Sequence, residues 1–184
     1  MKEWITFLLQ LLFKPIKAFK LHPKDKMRKY IMSIFFLSYL MDFLVKHISG
    51  IDIHKLASLF YLDMLFLAIF IYIFTRIFIG KGDIYNTAIS LLAANAPLIA
   101  MGPFILLGSL IDNVYITLIS KILLVLWKLF LLVVGVSILH SVKVVKSVVI
   151  VLVSLILTIP IMFNLRKIIE NRFSSRQTAN VVRY

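Results

Sequence analysis

Four ionisable residues, Asp42, Asp63, Lys121 and Lys128, fall inside otherwise apolar runs. Charge in such a setting is costly and is either functional or paired. Asp63 and Lys121 each lie seven residues into their runs. With both runs starting on the same side, both residues sit about 10 Å deep, so they can form a charge pair. An ion or proton path fits that pair, and so does a packing ion pair that fixes two helices. Lys128 sits deeper and can snorkel or join the same network, while Asp42 lies near the outer end of the first run. Elsewhere the chemistry is thin. His47 and His54 flank Asp52 in "HISGIDIH", a spacing that matches no standard zinc pattern. "GKGD" at 80–83 lacks the further glycines and the Ser or Thr after Lys that a phosphate loop needs. With no cysteine in the chain, thiolate catalysis and cysteine metal sites are excluded. The expectation is a non-enzymatic protein with no metal and no cofactor.

The elements that must position these charges follow from composition. The chain is 61% hydrophobic with a mean hydropathy of +1.00, too apolar for a soluble domain. Windows of about 19 residues give five candidate spans: Tyr30 to Val45, Leu56 to Ile79, Ala88 to Ile111, Val114 to Leu139 and Val148 to Leu165. A lipid-exposed backbone must satisfy its own hydrogen bonds, and these runs are too long and evenly apolar for barrel strands, so all five read as helices. The expected architecture is an all-α integral membrane protein. Residues 1–29 form a basic amphipathic segment, 30–165 a five-helix transmembrane bundle, and 166–184 a polar, weakly ordered tail.

Residues 3–20 read "EWITFLLQLLFKPIKAFK". Thr6 and Gln10 interrupt the apolar part, Lys14 and Pro15 end it, and no small-x-small site follows, which excludes a signal peptide. Glu3, Thr6, Gln10, Lys14 and Lys17 draw one narrow polar stripe; Trp4, Phe7, Leu8, Leu11 and Leu12 mark the opposite face. Such a helix can lie in the membrane interface or pack on the bundle. Lys14, Lys17, Lys20, Lys24, Lys26, Arg28 and Lys29 form a basic surface suited to anionic headgroups. This surface accounts for much of the net charge of +13 without nucleic acid, for which the sequence offers no reading head.

The third span contains "LLAANAPLIAMGPFILLG". Asn95, Pro97, Gly102 and Pro103 predict a kinked or broken helix, tolerated in lipid because neighbours can satisfy the freed backbone groups. Interrupted helices can build a transport site at the membrane midplane, although that usually takes two interrupted segments, and the sequence shows one. The competing reading is a packing kink that brings helices close over Ala93, Ala94, Ala96 and Gly102.

Lys and Arg near the span ends favour a cytoplasmic N-terminus, twelve on the inner side against seven on the outer. The basic tail pulls the other way, and an even number of spans would remove the conflict.

"LLFKPIKAF", the Pro- and Gly-bearing "ANAPLIAMGP" and "WKLFLLVVGVSILHSVKVVKSVVIVLVSLI" resemble the Yip (Ypt-interacting protein) family of small membrane proteins in its prokaryotic form. The resemblance runs from Leu11 to Leu165 and rests on order, spacing and Pro15, Pro97, Trp127, Gly135, Lys143 and Lys146. It implies five spans, a cytoplasmic N-terminus and action by association without chemistry. Eukaryotic relatives carry a long polar N-terminal segment tied to prenylated Rab-type GTPases, a segment not present in this sequence. The expected partners are anionic lipids, a membrane-protein or GTPase partner and a second copy of the chain, in the cell membrane of a prokaryote. A small transporter or channel built on the third span and the intramembrane charges is the rival reading.

Overall fold

The computed structural model describes residues 2–21, 24–48, 53–79 and 83–181; for residues 53–63 and 169–181, and for Lys24, Lys46 and Arg166, it describes the backbone alone. The described residues are almost entirely helical and contain no strand. The helices are α1 (Lys2–Phe13), α2 (Pro15–Leu21), α3 (Lys24–Ile48), α4 (Ile53–Ile79), α5 (Ile84–Ala93), α6 (Pro97–Leu110), α7 (Val114–Leu139) and α8 (Val144–Val181).

Three stretches among the described residues are long and apolar enough to cross a membrane: Ile84–Leu110 with 27 residues, Val114–Leu139 with 26 and Val144–Leu165 with 22. Each reaches past the ~30 Å of a bilayer's hydrocarbon at 1.5 Å per residue. This is an α-helical membrane protein.

The helix ends are set by local chemistry. Asp83 accepts a hydrogen bond from the Tyr85 amide at 2.9 Å and starts α5, and Asn113 accepts one from the Ile116 amide at 3.1 Å and starts α7. The turns after α6 and α7 repeat one device. The Asn113 amide donates to the Gly108 carbonyl at 2.8 Å, and the Val142 amide to the Ser137 carbonyl at 2.8 Å. Asp112 and Ser141 hold the left-handed position at φ 51° and 55°. These six-to-one bonds close the last carbonyls of both helices and reverse the chain sharply.

Helix α7 is the hub, packed against α6, α5, α8 and α2; α3 lies on α6 and α5, and α4 on α8 and α5. Close approach is licensed by glycine at three crossings. A Cβ on Gly102 would strike the Met41 side chain of α3; one on Gly108 would lie 2.9 Å from the Thr117 amide nitrogen of α7; one on Gly135 would lie 3.3 Å from the Ser90 Cα of α5. The core joins Phe7, Leu11, Ala18 and Met27 from the N-terminal helices to Ile71, Ile89, Leu131 and Ile150.

The structure departs from the sequence reading in two places. The N-terminal helix is two, α1 and α2, because Pro15 lacks an amide and bends the chain after Lys14, whose own amide still reaches Gln10 at 2.7 Å. Residues 166–181, read as a weakly ordered tail, continue α8 as helix. A second internal proline, Pro160, lies in α8 without breaking it.

Candidate functional site

The interrupted third span keeps most of its backbone hydrogen bonds through the break. Between α5 and α6 the amides of Asn95, Ala96, Leu98 and Ile99 donate to carbonyls three residues back, at 3.2, 3.0, 3.0 and 3.1 Å. The chain is overwound there, and Pro97 sits at the start of α6, where no amide is required. Overwinding would orphan the Leu91 carbonyl, which an α-helix would pair with the Asn95 amide. The Asn95 side chain takes that place, donating through Nδ2 to Leu91 O at 3.0 Å. Asn95 is 8% exposed, and its amide also faces the Met64 sulfur at 4.0 Å. Gly102 packs on α3, while Pro103 lies exposed within α6. The Leu91 carbonyl is therefore closed, whereas the Ala94 carbonyl, followed three residues on by Pro97 and passed over by the Leu98 amide, has no backbone donor among the described residues.

Of the intramembrane charges, Lys121 lies away from this break. Lys121 is exposed and lines a cavity of about 490 Å³ beside the α6–α7 turn, with Ser109, Asp112 and Thr117. Asp42 on α3 and Lys128 on α7 are half-buried, and both have interaction partners. The Asp63 side chain, and with it the Asp63–Lys121 pair, lies outside the described residues. Helix α7 is not among the principal neighbours of α4. No group of three or more potential metal ligands occurs among the described residues. His47 stacks on Phe43 at 6.1 Å; Asp52 and the His54 side chain lie outside the described residues.

The N-terminal helices show three faces. Phe7 and Leu11 are fully buried and Leu12 nearly so, packed into the bundle; these residues, with half-buried Trp4 and Leu8, were the wide apolar face of the sequence pattern. A second apolar row, Ile5, Leu9, Phe13 and Ile16, is exposed, and the sequence stripe did not separate it from the first. Glu3 and Thr6 form the exposed polar face. Two contacts pin the helix. The Tyr30 hydroxyl donates to Glu3 Oε2 at 2.9 Å with Lys26 Nζ at 3.7 Å, and this hydrogen bond, then the ammonium charge, hold the Glu3 carboxyl below its usual range. Trp127 Nε1 donates to the Leu12 carbonyl at 3.2 Å, beside Phe13 at 5.9 Å between ring centroids. Trp127 lies about 20 Å along α7, so the elbow docks midway up the hub helix rather than across its end.

The basic residues divide accordingly. Lys14, Lys17, Lys20 and Lys29 are exposed. Lys26 is paired with Glu3, Arg28 lies over the Tyr85 ring at 5.8 Å, and the Lys24 side chain lies outside the described residues.

One buried group was not singled out by sequence reasoning. His140 ends α7 and is 7% exposed. Its Nε2 lies 3.2 Å from Thr87 Oγ1, whose only hydrogen goes to the Asp83 carbonyl at 3.0 Å. With the hydroxyl hydrogen on the Asp83 carbonyl, Thr87 accepts and His140 carries its proton on Nε2. Nδ1 is then a bare lone pair, buried and without a partner among the described residues. Burial lowers the His140 pKa, against a smaller raising effect of Asp83. Asn86 Nδ2 closes the junction by donating to the Leu139 carbonyl at 2.9 Å. A lone histidine between two apolar runs gives no signal of this in sequence.

No family model, no curated protein and no solved structure matches the chain.

Proposed function

We propose that the chain is a non-enzymatic, five-span membrane protein of Yip type with a cytoplasmic N-terminus, which organises the surrounding membrane by association. The supporting observation is the three-faced α1–α2 unit. One face is core, a second row (Ile5, Leu9, Phe13, Ile16) is bare and apolar, and Lys14, Lys17 and Lys20 stand exposed beside it. Set midway along α7 by Trp127, these lysines draw anionic headgroups and water toward the bundle, because an ammonium in hydrocarbon is costly unless solvated or paired. The unit acts as a wedge in the inner leaflet, with α3 and α4 as the first two spans and a GTPase or membrane-protein partner meeting the same basic side. Transport is the weaker reading, since such sites usually take two interrupted segments and the sequence shows one, and most backbone groups at the break are already paired.

The native chain has no cysteine, so single introduced cysteines report cleanly. The reading expects Ile5→Cys and Leu9→Cys to resist a water-soluble maleimide and Thr6→Cys and Lys17→Cys to react from the cytoplasmic side. Lys24→Cys and Ser174→Cys should label from opposite sides. Replacing Lys14, Lys17 and Lys20 by Gln should abolish enrichment of anionic lipid around the purified protein. Labelling of residues 24 and 174 from one side would overturn the five-span topology, and unchanged lipid enrichment would overturn the wedge.

A further inference from the structure

The cavity beside the α6–α7 turn combines features that the wedge does not use. Its volume of about 490 Å³ and its walls, Ile48 at the end of α3, Ser109 and Asp112 at the turn, and Thr117, Leu118 and Lys121 on α7, fall within the range of small-ligand sites, ~300–1,000 Å³. It carries one positive and one negative side chain. Among the described residues neither Lys121 nor Asp112 has an ion-pair partner.

The order of the two charges along the membrane normal selects the ligand. Asp112 lies on the turn itself, whereas Lys121 lies about 10 Å along α7 from its first residue. An anion is thus wanted deep and a cation shallow. A phospholipid whose phosphate carries an ammonium-bearing alcohol has that arrangement, with phosphate next to the acyl chains and ammonium outermost. The neighbouring α7 surface suits the chains, since Ile122 and Val125 are exposed beyond Lys121 and continue the exposed Leu118 of the cavity wall at helical spacing. Ser109, on α6, adds a hydroxyl to the lining. Thr117 is spent differently, donating to the Asn113 carbonyl at 3.1 Å, which leaves its oxygen as an acceptor.

We infer that this cavity is a binding site for a phosphoethanolamine-type headgroup, with Lys121 on the phosphate and Asp112 on the ammonium. The inference rests on the membrane reading and places the lipid in the leaflet on the α6–α7 side, the outer one in the proposed topology. An anionic lipid without the ammonium would satisfy Lys121 and meet repulsion at Asp112. A free phosphoethanolamine has the same charges without the chains.

The test is native mass spectrometry of the full chain in one detergent, titrated with phosphatidylethanolamine, phosphatidylglycerol or water-soluble phosphoethanolamine. Wild type should favour the ethanolamine lipid over the glycerol lipid. Lys121→Gln should weaken both about tenfold, the loss of one charge-assisted contact, and Lys121→Arg should retain them, which separates loss of charge from misfolding. Asp112→Asn should weaken only the ethanolamine lipid and erase the preference. Competition by millimolar phosphoethanolamine would support the headgroup site while naming a soluble source, and its failure would assign the ligand to the lipid. Equal affinity of wild type and Lys121→Gln, or a preference for the glycerol lipid in wild type, would overturn the site. Neither result depends on the side from which residues 24 and 174 label, so the site and the topology fail separately.

Discussion

At the residue scale, the two groups with the clearest consequences are Asn95 and His140. Asn95 replaces a backbone donor at Leu91 O, so Asn95→Leu leaves a buried carbonyl unpaired and should cost about 1–3 kcal/mol, read as a lower Tm in detergent. Restoring an amide at position 97 with Pro97→Ala in the same chain lets the regular ladder re-form, and the double variant should recover part of the loss. His140 is held neutral by burial, which keeps its folded-state pKa below that of a free imidazole. The unfolded chain therefore binds the proton first as pH falls. Stability should be flat above about pH 6.5 and decline below it, as protonation at Nδ1 places an imidazolium where no acceptor waits. His140→Leu should flatten that decline, and thermal melts between pH 5 and pH 8 would measure both. Asn95 was legible in sequence because a polar residue beside a proline in an apolar run stands out. His140 was not, because its meaning lies in a hydroxyl 53 positions away.

At the element scale, the sequence placed the break and bounded the later spans closely: α7 runs from Val114 to Leu139 as its apolar pattern indicates. It missed how far helix persists after Leu165, since charged residues end a hydrophobic run without ending a helix. It also could not pair the helices. In lipid, apolar surfaces are interchangeable and association follows from close packing at small residues, which a single sequence does not assign to partners. The glycines make that assignment testable. Gly108→Ala drives a methyl toward the Thr117 backbone, whereas Gly102→Ala meets the Met41 side chain at Cγ and Sδ, which a change of rotamer can move aside without shifting a backbone. The first should lower stability by about 1–3 kcal/mol and the second by clearly less, measured as the two Tm shifts against wild type in one detergent. An equal effect of the two would mean that α6 and α7 are not held at this distance.

At the scale of the whole molecule, composition alone identified a membrane protein, while the role of the N-terminal helices emerged only from their contacts, because the sequence stripe showed one apolar face where the folded chain has two. The hydrogen bond from Trp127 to Leu12 spans 115 positions, and it bears on biosynthesis. Residue 12 leaves the ribosome long before its partner: at about 5–20 residues per second, α1 and α2 are made several seconds or more before Trp127 exists. Through that interval their core face, Phe7, Leu11 and Leu12, has no bundle to enter and must rest on the membrane surface or on a chaperone. Nascent chains stalled before residue 114 should then crosslink from position 11 to lipid or to the insertion machinery, and chains released at full length should crosslink to α7 instead. A Trp127→Phe chain, which keeps the ring and loses the donor, should make that exchange late or incompletely.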